Sequence, residues 1–266
     1  MRSIKNLENY LKKRAVSSPW KLSETPEKKF KFSIVIPAYN ELDSLFTALN
    51  SINKNNKDLL LSTIVVVVIN NSEKSPNTFK NNNLLTIKQL EKSKFDFNLK
   101  FVDASSKGLE LPEKYAGVGL ARKIGIDLIL PHMISKKSLI LCTDADVTVS
   151  PNYLLIVSNY FTHNNSSAAV LGFKHRKANI KIIDSEIQIY ENYLKDTAKQ
   201  LKHAGSPYSY VSMGSTMVCT VEAYCAVGGM PKKKATEDFY FLQALSKFGT
   251  VESINKELIF PSSRPI

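Results

Sequence analysis

Three cysteines in 266 residues (Cys142, Cys219 and Cys225), with no Cys-x-x-Cys pair among them, give no basis for a disulfide framework or a structural zinc site. They read as buried free thiols of a reducing compartment. Glycine and proline number only 10 and 11, too few for collagen-like or proline-rich architecture. No apolar run reaches the ~18 residues that a membrane span needs. The longest, over residues 59–69, is interrupted by Ser62 and Thr63. The opening Met1-Arg-Ser-Ile-Lys-Asn has no apolar h-region, so no signal peptide is expected. These absences point to a cytoplasmic protein, at most peripheral to a membrane.

Acidic residues are also scarce relative to basic ones, 24 against 36, and the net charge of +12 favours anionic partners. The excess is uneven. Residues 1–31 carry nine basic and three acidic side chains, half of the net charge. This stretch reads as a solvated basic leader ahead of a domain over residues 32–266, the alternative being an arm that docks on anionic lipid. No recognition-helix, zinc-finger or RNP-like signature accompanies the charge, so no nucleic-acid partner is expected. A hydrophobic share of 43% with 23% charged residues is globular composition, sufficient for a full core at this length.

From residue 32 onward, strand and helix patterns alternate. Phe32-Ser-Ile-Val-Ile-Pro37 reads as a buried strand ended by its proline, and Thr63-Ile-Val-Val-Val-Val-Ile69 as a continuously β-branched strand covered on both faces. Further strands are expected over residues 99–103, 138–143, 168–173, 212–219 and within 250–261. Helices are expected over 6–14, 41–53, 84–91, 115–130, 180–203 and 236–248, and one that starts with Pro151 at N1. The Asn81-Asn-Asn83 patch reads as loop. This pattern predicts an α/β fold, with a Rossmann-like, mostly parallel sheet and helices on both faces. In such sheets ligands bind beyond the carboxyl ends of the strands, so the polar groups just past Ile36, Ile69, Val102 and Cys142 are where chemistry is expected.

The sharpest local signal is Leu139-Ile-Leu-Cys-Thr-Asp-Ala-Asp-Val147. It places Asp144 and Asp146 directly after an apolar strand, where charge is costly unless paired or metal-bound. Hard oxygen ligands of this kind suit Mg²⁺ or Mn²⁺ shared with substrate phosphates. Later in the chain, Gly228-Gly-Met-Pro and Lys232-Lys-Lys234 lead into Thr236-Glu-Asp238, with Thr236 as an N-cap and Glu237 and Asp238 in a first helical turn. Arg122, on the helix before the acidic strand, is a partner for a phosphate or for Asp144.

Four segments in this order resemble the family 2 glycosyltransferases of GT-A fold: Ser33-Ile-Val-Ile-Pro-Ala-Tyr-Asn-Glu41, Gly119-Leu-Ala-Arg-Lys-Ile-Gly125, Asp144-Ala-Asp146 and Thr236-Glu-Asp238. The resemblance covers roughly residues 32–250. It implies inverting transfer from a nucleotide-diphosphate sugar donor to a hydroxyl on a glycan or lipid-linked acceptor, in cell-envelope or surface glycan synthesis. Pro37, Ala38, Tyr39 and Glu41 would line the nucleotide pocket, with Asn70 and Arg122 also on the donor. Asp144 would face the ribose or metal, and Asp146 would hold the Mg²⁺ or Mn²⁺ ion. Asp238 matches the family's base, with Glu237 orienting base or acceptor, and the two are not separable from sequence. Residues 180–203, 208–210 and 214–215 would shape the acceptor side, while ordinary core packing accounts for the apolar stripe of that helix. Two departures stand out. Lys123 replaces the usual asparagine, and the second strand ends in Asn70-Asn71 where the family has a base-reading aspartate. The chain also ends soon after the last core element, where family members often carry further helices. Two other readings compete. Asp144-Ala-Asp-Val-Thr148 matches the pattern of aspartate-nucleophile phosphatases, with Asp144 as nucleophile and Asp146 as acid/base. A nucleotide-binding module without turnover also fits.

Overall fold

The β-branched runs become neighbouring parallel strands, because a strand apolar on both sides is stable only when both sides are covered. In the computed structural model, which describes residues 2–16, 18–178 and 180–263, β1 (Phe32–Ala38) lies between β2 (Thr63–Asn70) and β4 (Leu139–Cys142). β3 (Asn98–Ala104) pairs on the far side of β2. All three pairings are parallel, with Ile34 beside both Val65 and Leu141. The two-residue period of a strand then splits the side chains between two cores. Val35, Ile64, Val66 and Val68 enter one, and Ile34, Ile36, Val65, Val67 and Ile69 the other. The first is covered by α1 (Arg2–Lys13), α5 (Val118–Ile129), α8 (Val221–Ala226) and α9 (Glu237–Phe248). The second is covered by α2 (Leu42–Ile52), α3 (Lys57–Leu61), α4 (Asn77–Lys92) and α6 (Tyr153–His163).

The sheet continues past β4 with a change of direction. β7 (Met217–Thr220) is antiparallel to both β4 and β6 (Ala168–Phe173). β8 (Val251–Phe260) then runs parallel to β6, and β5 (Thr148–Val149) closes the edge antiparallel to β8. The order is β3-β2-β1-β4-β7-β6-β8-β5. The α/β class and the mostly parallel sheet with helices on both faces are therefore as expected. The three cysteines are buried and free. No helix of the described residues is long and apolar enough to cross a membrane.

Several local expectations are corrected. Pro37 does not end β1. Pairing with β4 stops at Val35 opposite Cys142, so a missing N–H beyond that point interrupts no ladder on that side. Asn81, Asn82 and Asn83 lie inside α4, because the amides of Asn82 and Asn83 gain tertiary partners that outweigh weak helix propensity. Pro151 sits in the turn before α6 rather than at N1. Of residues 212–219, only the last part is strand, and 214–216 form a 3-10 turn.

The long helix α7 (Lys181–His203) is present, but its apolar stripe is wider than the body it leans on. Ile183, Ile187 and Leu194 are half-buried, whereas Ile182, Ile189, Tyr190 and Tyr193 are exposed, so core packing does not account for the whole stripe. The helix is fastened instead by a buried carboxylate. Glu191 Oε1 accepts from His175 N (2.6 Å) and contacts His175 Nδ1 (2.8 Å), and Oε2 accepts from Lys195 Nζ (3.0 Å). Burial alone would raise the Glu191 carboxyl, but these donors outweigh it and hold it below its ordinary value of 4.5. A depressed folded-state value means stability that is present above the ordinary value and lost as pH falls through the folded one. Glu191→Gln is therefore expected to cost about 1–3 kcal/mol at neutral pH. Urea denaturation should show that gap closing below about pH 4.

The basic leader is not a solvated tail over its whole length. Tyr10 is only 3% exposed, and Leu7, Leu11, Val16, Trp20 and Leu22 pack against the core behind α5. Lys12, Lys13, Arg14, Lys28 and Lys29 stay exposed. The charge of this segment thus faces outward while its apolar residues complete the domain.

Candidate active site

Because β1, β2 and β4 are parallel, their carboxyl ends open on one edge of the sheet. There the chain forms a cavity of about 450 Å³. Pro37, Tyr39, Glu41, Asn70, Asp144 and Asp146, all expected at a donor site, line it. The opposite wall is Glu113 and the segment Ala116 to Val118 at the start of α5. Ala38 does not line the cavity and is 1% exposed, packed in the second core.

One wall is held by a residue that the sequence reading placed in a loop. Asn83, 1% exposed on α4, accepts from Asn40 N through Oδ1 (3.0 Å). Its Nδ2 donates to Asn70 O (3.1 Å) and Asn71 Oδ1 (2.9 Å). Asn40 has a left-handed backbone (φ 58°), which asparagine tolerates better than most residues. Asn71 Nδ2 in turn donates to Ser72 O and Ser105 O. The Asn71 amide is thus spent on the scaffold. Asn70 Oδ1 is buried beside the cavity and has no hydrogen-bond partner among the described residues. The only sequence signal for Asn83 was the asparagine run itself.

The other wall is electrostatic. Arg122, on α5 and 2% exposed, does not line the cavity. Its Nη2 donates to Asp144 Oδ1 and its Nη1 to Glu237 Oε1, so one guanidinium joins the end of β4 to the head of α9. The fork geometry of arginine suits two separate carboxylates. Gly214 makes room for it, since a Cβ there would lie 2.4 Å from the guanidinium nitrogens. Burial pushes both the Asp144 and Glu237 carboxyls above their ordinary values, because one cation serves two desolvated carboxylates. The same pair holds Arg122 firmly charged against its own desolvation. Glu237 is 2% exposed and committed to this bridge, whereas Asp238 is half-buried and its Oδ1 accepts from Phe239 N (2.7 Å). The Arg122 bridge puts Asp144, two residues before Asp146, and Glu237, next to Asp238, on the same side of the molecule.

Thr236 departs from expectation. It stands at the N-cap position of α9, but its backbone is left-handed (φ 62°) and its hydroxyl donates to Ala235 O rather than capping the helix. A β-branched residue in that region is strained, and here the strain sits one residue before Glu237.

Asp146 accepts from the Ser262 hydroxyl, and its backbone carbonyl accepts from Arg176 Nη2 (2.9 Å). Among the described residues no group of three or more His, Cys, Asp or Glu could hold a metal by itself. Two carboxylates on a cavity wall do fit Mg²⁺ or Mn²⁺, which completes its shell with water and phosphate oxygens. They do not fit a closed protein cage.

No protein-family model and no curated protein matches the chain. Solved structures do. Residues 1–349 of TarS from S. aureus, in complex with UDP-GlcNAc, match at 18% identity and TM-score 0.57, covering 89% of this chain and 60% of that one. A second structure of the same TarS fragment matches at 18% identity and TM-score 0.55, covering 88% and 60%. The mannosyltransferase PcManGT from Pyrobaculum calidifontis, in complex with GDP-Man and Mn²⁺, matches at 16% identity and TM-score 0.51, covering 97% and 62%. The chain thus spans about 60% of the TarS fragment and of PcManGT and 37% of TarS itself, and at such identities the likeness is one of fold. With its parallel strands β1 to β4, the reversed β7 between β4 and β6 and its cavity at the strand ends, the protein has the GT-A fold seen in these glycosyltransferases.

Proposed function

We propose that the protein is a glycosyltransferase that moves a sugar, with inversion, from a nucleoside-diphosphate sugar to a hydroxyl of a glycan or lipid-linked glycan acceptor. The observation that carries this reading is the Arg122 bridge. It ties Asp144, which lines the cavity, to Glu237 at the head of α9, although neither Glu237 nor Asp238 lines the cavity itself. The TarS fragment and PcManGT, which share the fold, were solved with UDP-GlcNAc and with GDP-Man and Mn²⁺ respectively.

In this reading the nucleoside occupies the cavity, with the Asn70 amide on the base edge, where it offers both an acceptor and a donor. Asp146 and Asp144 hold Mg²⁺ or Mn²⁺ by carboxylate oxygen. When bound, that ion supplies positive charge that offsets the developing charge of the departing diphosphate. Glu237 is tied to Arg122 and positions the turn, which leaves Asp238 as the general base that takes the acceptor's proton during attack. Exposed Phe239, next to Asp238, offers an apolar ring face to an acceptor sugar. Pairing with Arg122 disfavours Asp144 as a phosphatase nucleophile, because an ion-paired carboxylate is a weaker attacker. Cytoplasmic placement and peripheral contact with anionic membrane through the exposed lysines of residues 12–29 belong to the same reading.

A thermal-shift panel of nucleoside diphosphates, each with and without Mn²⁺, tests it. Binding to the native state raises its melting temperature by mass action. One nucleotide is expected to give a Mn²⁺-dependent rise that disappears in Asp146→Asn. No rise with any nucleotide would overturn the proposal.

A further inference from the structure

The buried polar groups behind the cleft converge on the N-terminal helix. Tyr10 of α1 donates its hydroxyl to Asp127 Oδ1 (2.7 Å) and accepts from Lys123 Nζ (2.6 Å). Asp127, whose side chain is wholly buried, also accepts from Tyr224 OH (2.8 Å) and Val16 N (2.8 Å) and pairs with Lys123 (3.0 Å). Lys123 and Asp127 are on α5, one and five positions after Arg122. Lys123 is the residue that departs from the family pattern, and a side chain of the leader is its partner.

The same hydroxyl touches the loop that carries the acidic pair. Gly229 has a left-handed backbone (φ 81°), and a Cβ there would lie 2.0 Å from Tyr10 OH. At Gly228, also left-handed, a Cβ would lie 2.8 Å from Arg14 Nη1. From this root the loop runs over the glycine face of α5. A Cβ on Gly117 would meet the Lys234 backbone, and one on Gly119 would meet the carbonyls of Pro231 and Lys233 and Cβ of Glu237. It ends at strained Thr236. The segment 228–236 is therefore left-handed at both ends, pressed on α5 along its length and abutted by α1 at its start.

We propose that Tyr10 is a positioning residue for the catalytic pair: α1 docks through its hydroxyl on Gly229 and the Lys123–Asp127 pair, and so holds the 228–236 loop that presents Glu237 and Asp238. The consequence for catalysis rests on the glycosyltransferase reading, but the docking itself does not. A strained exit at Thr236 persists only if the surroundings enforce it, and the α1 contact supplies that enforcement at the far end of the loop.

The test uses the full chain with Tyr10→Phe, and Glu191→Gln as its comparison. Both lower global stability, but Glu191 is bonded to His175 and Lys195, whereas Tyr10 meets the loop at Gly229. Trypsin under native conditions reads local opening at Lys232, Lys233 and Lys234. Tyr10→Phe is expected to speed cleavage there about tenfold while Glu191→Gln leaves it near wild type. Donor turnover by Tyr10→Phe should fall about tenfold in kcat with the donor KM unchanged, since the base is displaced and the cavity is not. Equal cleavage in the two variants, or no acceleration in either, would overturn the proposal. Accelerated cleavage in a protein whose wild type turns over no donor would support the clamp and count against the glycosyltransferase reading instead.

Discussion

Arg122→Met is expected to cost about 3–5 kcal/mol of stability and to abolish donor turnover, because it strips the shared cation from buried Glu237 and from half-buried Asp144. Arg122 is 2% exposed, and Glu237 is equally sequestered, so solvent cannot replace the lost partner. Burial already raises both carboxyls, and Arg122 is what opposes that rise. Removing it sends both further up. A carboxyl whose folded-state value is raised gives stability that is present below its ordinary value and lost as pH climbs through the folded one. Urea denaturation should therefore find the variant closer to wild type at about pH 5 than at about pH 8. Arg122→Lys should fall between the two, since a single ammonium cannot fork to the end of β4 and the head of α9 together. A loss below about 1 kcal/mol at the higher pH would show that the bridge is not what joins these elements.

Asp238→Asn is expected to reduce sugar transfer by about 10²–10⁴-fold while leaving Mn²⁺-dependent nucleotide binding intact, the signature of a lost general base. Asp238 is half-buried and outside the Arg122 bridge, so its amide leaves no buried cation unpaired. Glu237→Gln should behave differently. It removes charge from the partner of Arg122 and is expected to lower melting temperature and turnover together. Measuring both variants separates the two acids, which adjacent positions in a sequence cannot do. Transfer by Asp238→Asn within tenfold of wild type would remove Asp238 from the role of base.

Much of this arrangement is legible in the chain because it is local. The β-branched run from Thr63 to Ile69 can only be a strand covered on both sides, and Asp144 and Asp146 follow an apolar strand whose end must open on the ligand edge. The errors fall where a neighbour distant in sequence decides the outcome. Asn81 to Asn83 look like loop by propensity, yet in α4 Asn82 and Asn83 bond the backbone that leads into α2. The α7 stripe reads as core, yet half of it has no element of the described residues covering it. Tyr10 sits in a basic, polar stretch whose composition describes its outward face alone.

Sequence by itself determined the alternation of strands and helices, the edge at which the cavity opens and the acidic residues that line it there, since all of these follow from side-chain period and the cost of charge at a strand end. Only the tertiary structure decided which acid Arg122 pairs with across 115 positions, which asparagine beside the cavity keeps an oxygen without a partner among the described residues, and that Tyr10 reaches Asp127 across 117. The reason is that a buried polar group takes whichever partner packing brings within about 3 Å, and packing is a property of the assembled layers rather than of any one segment.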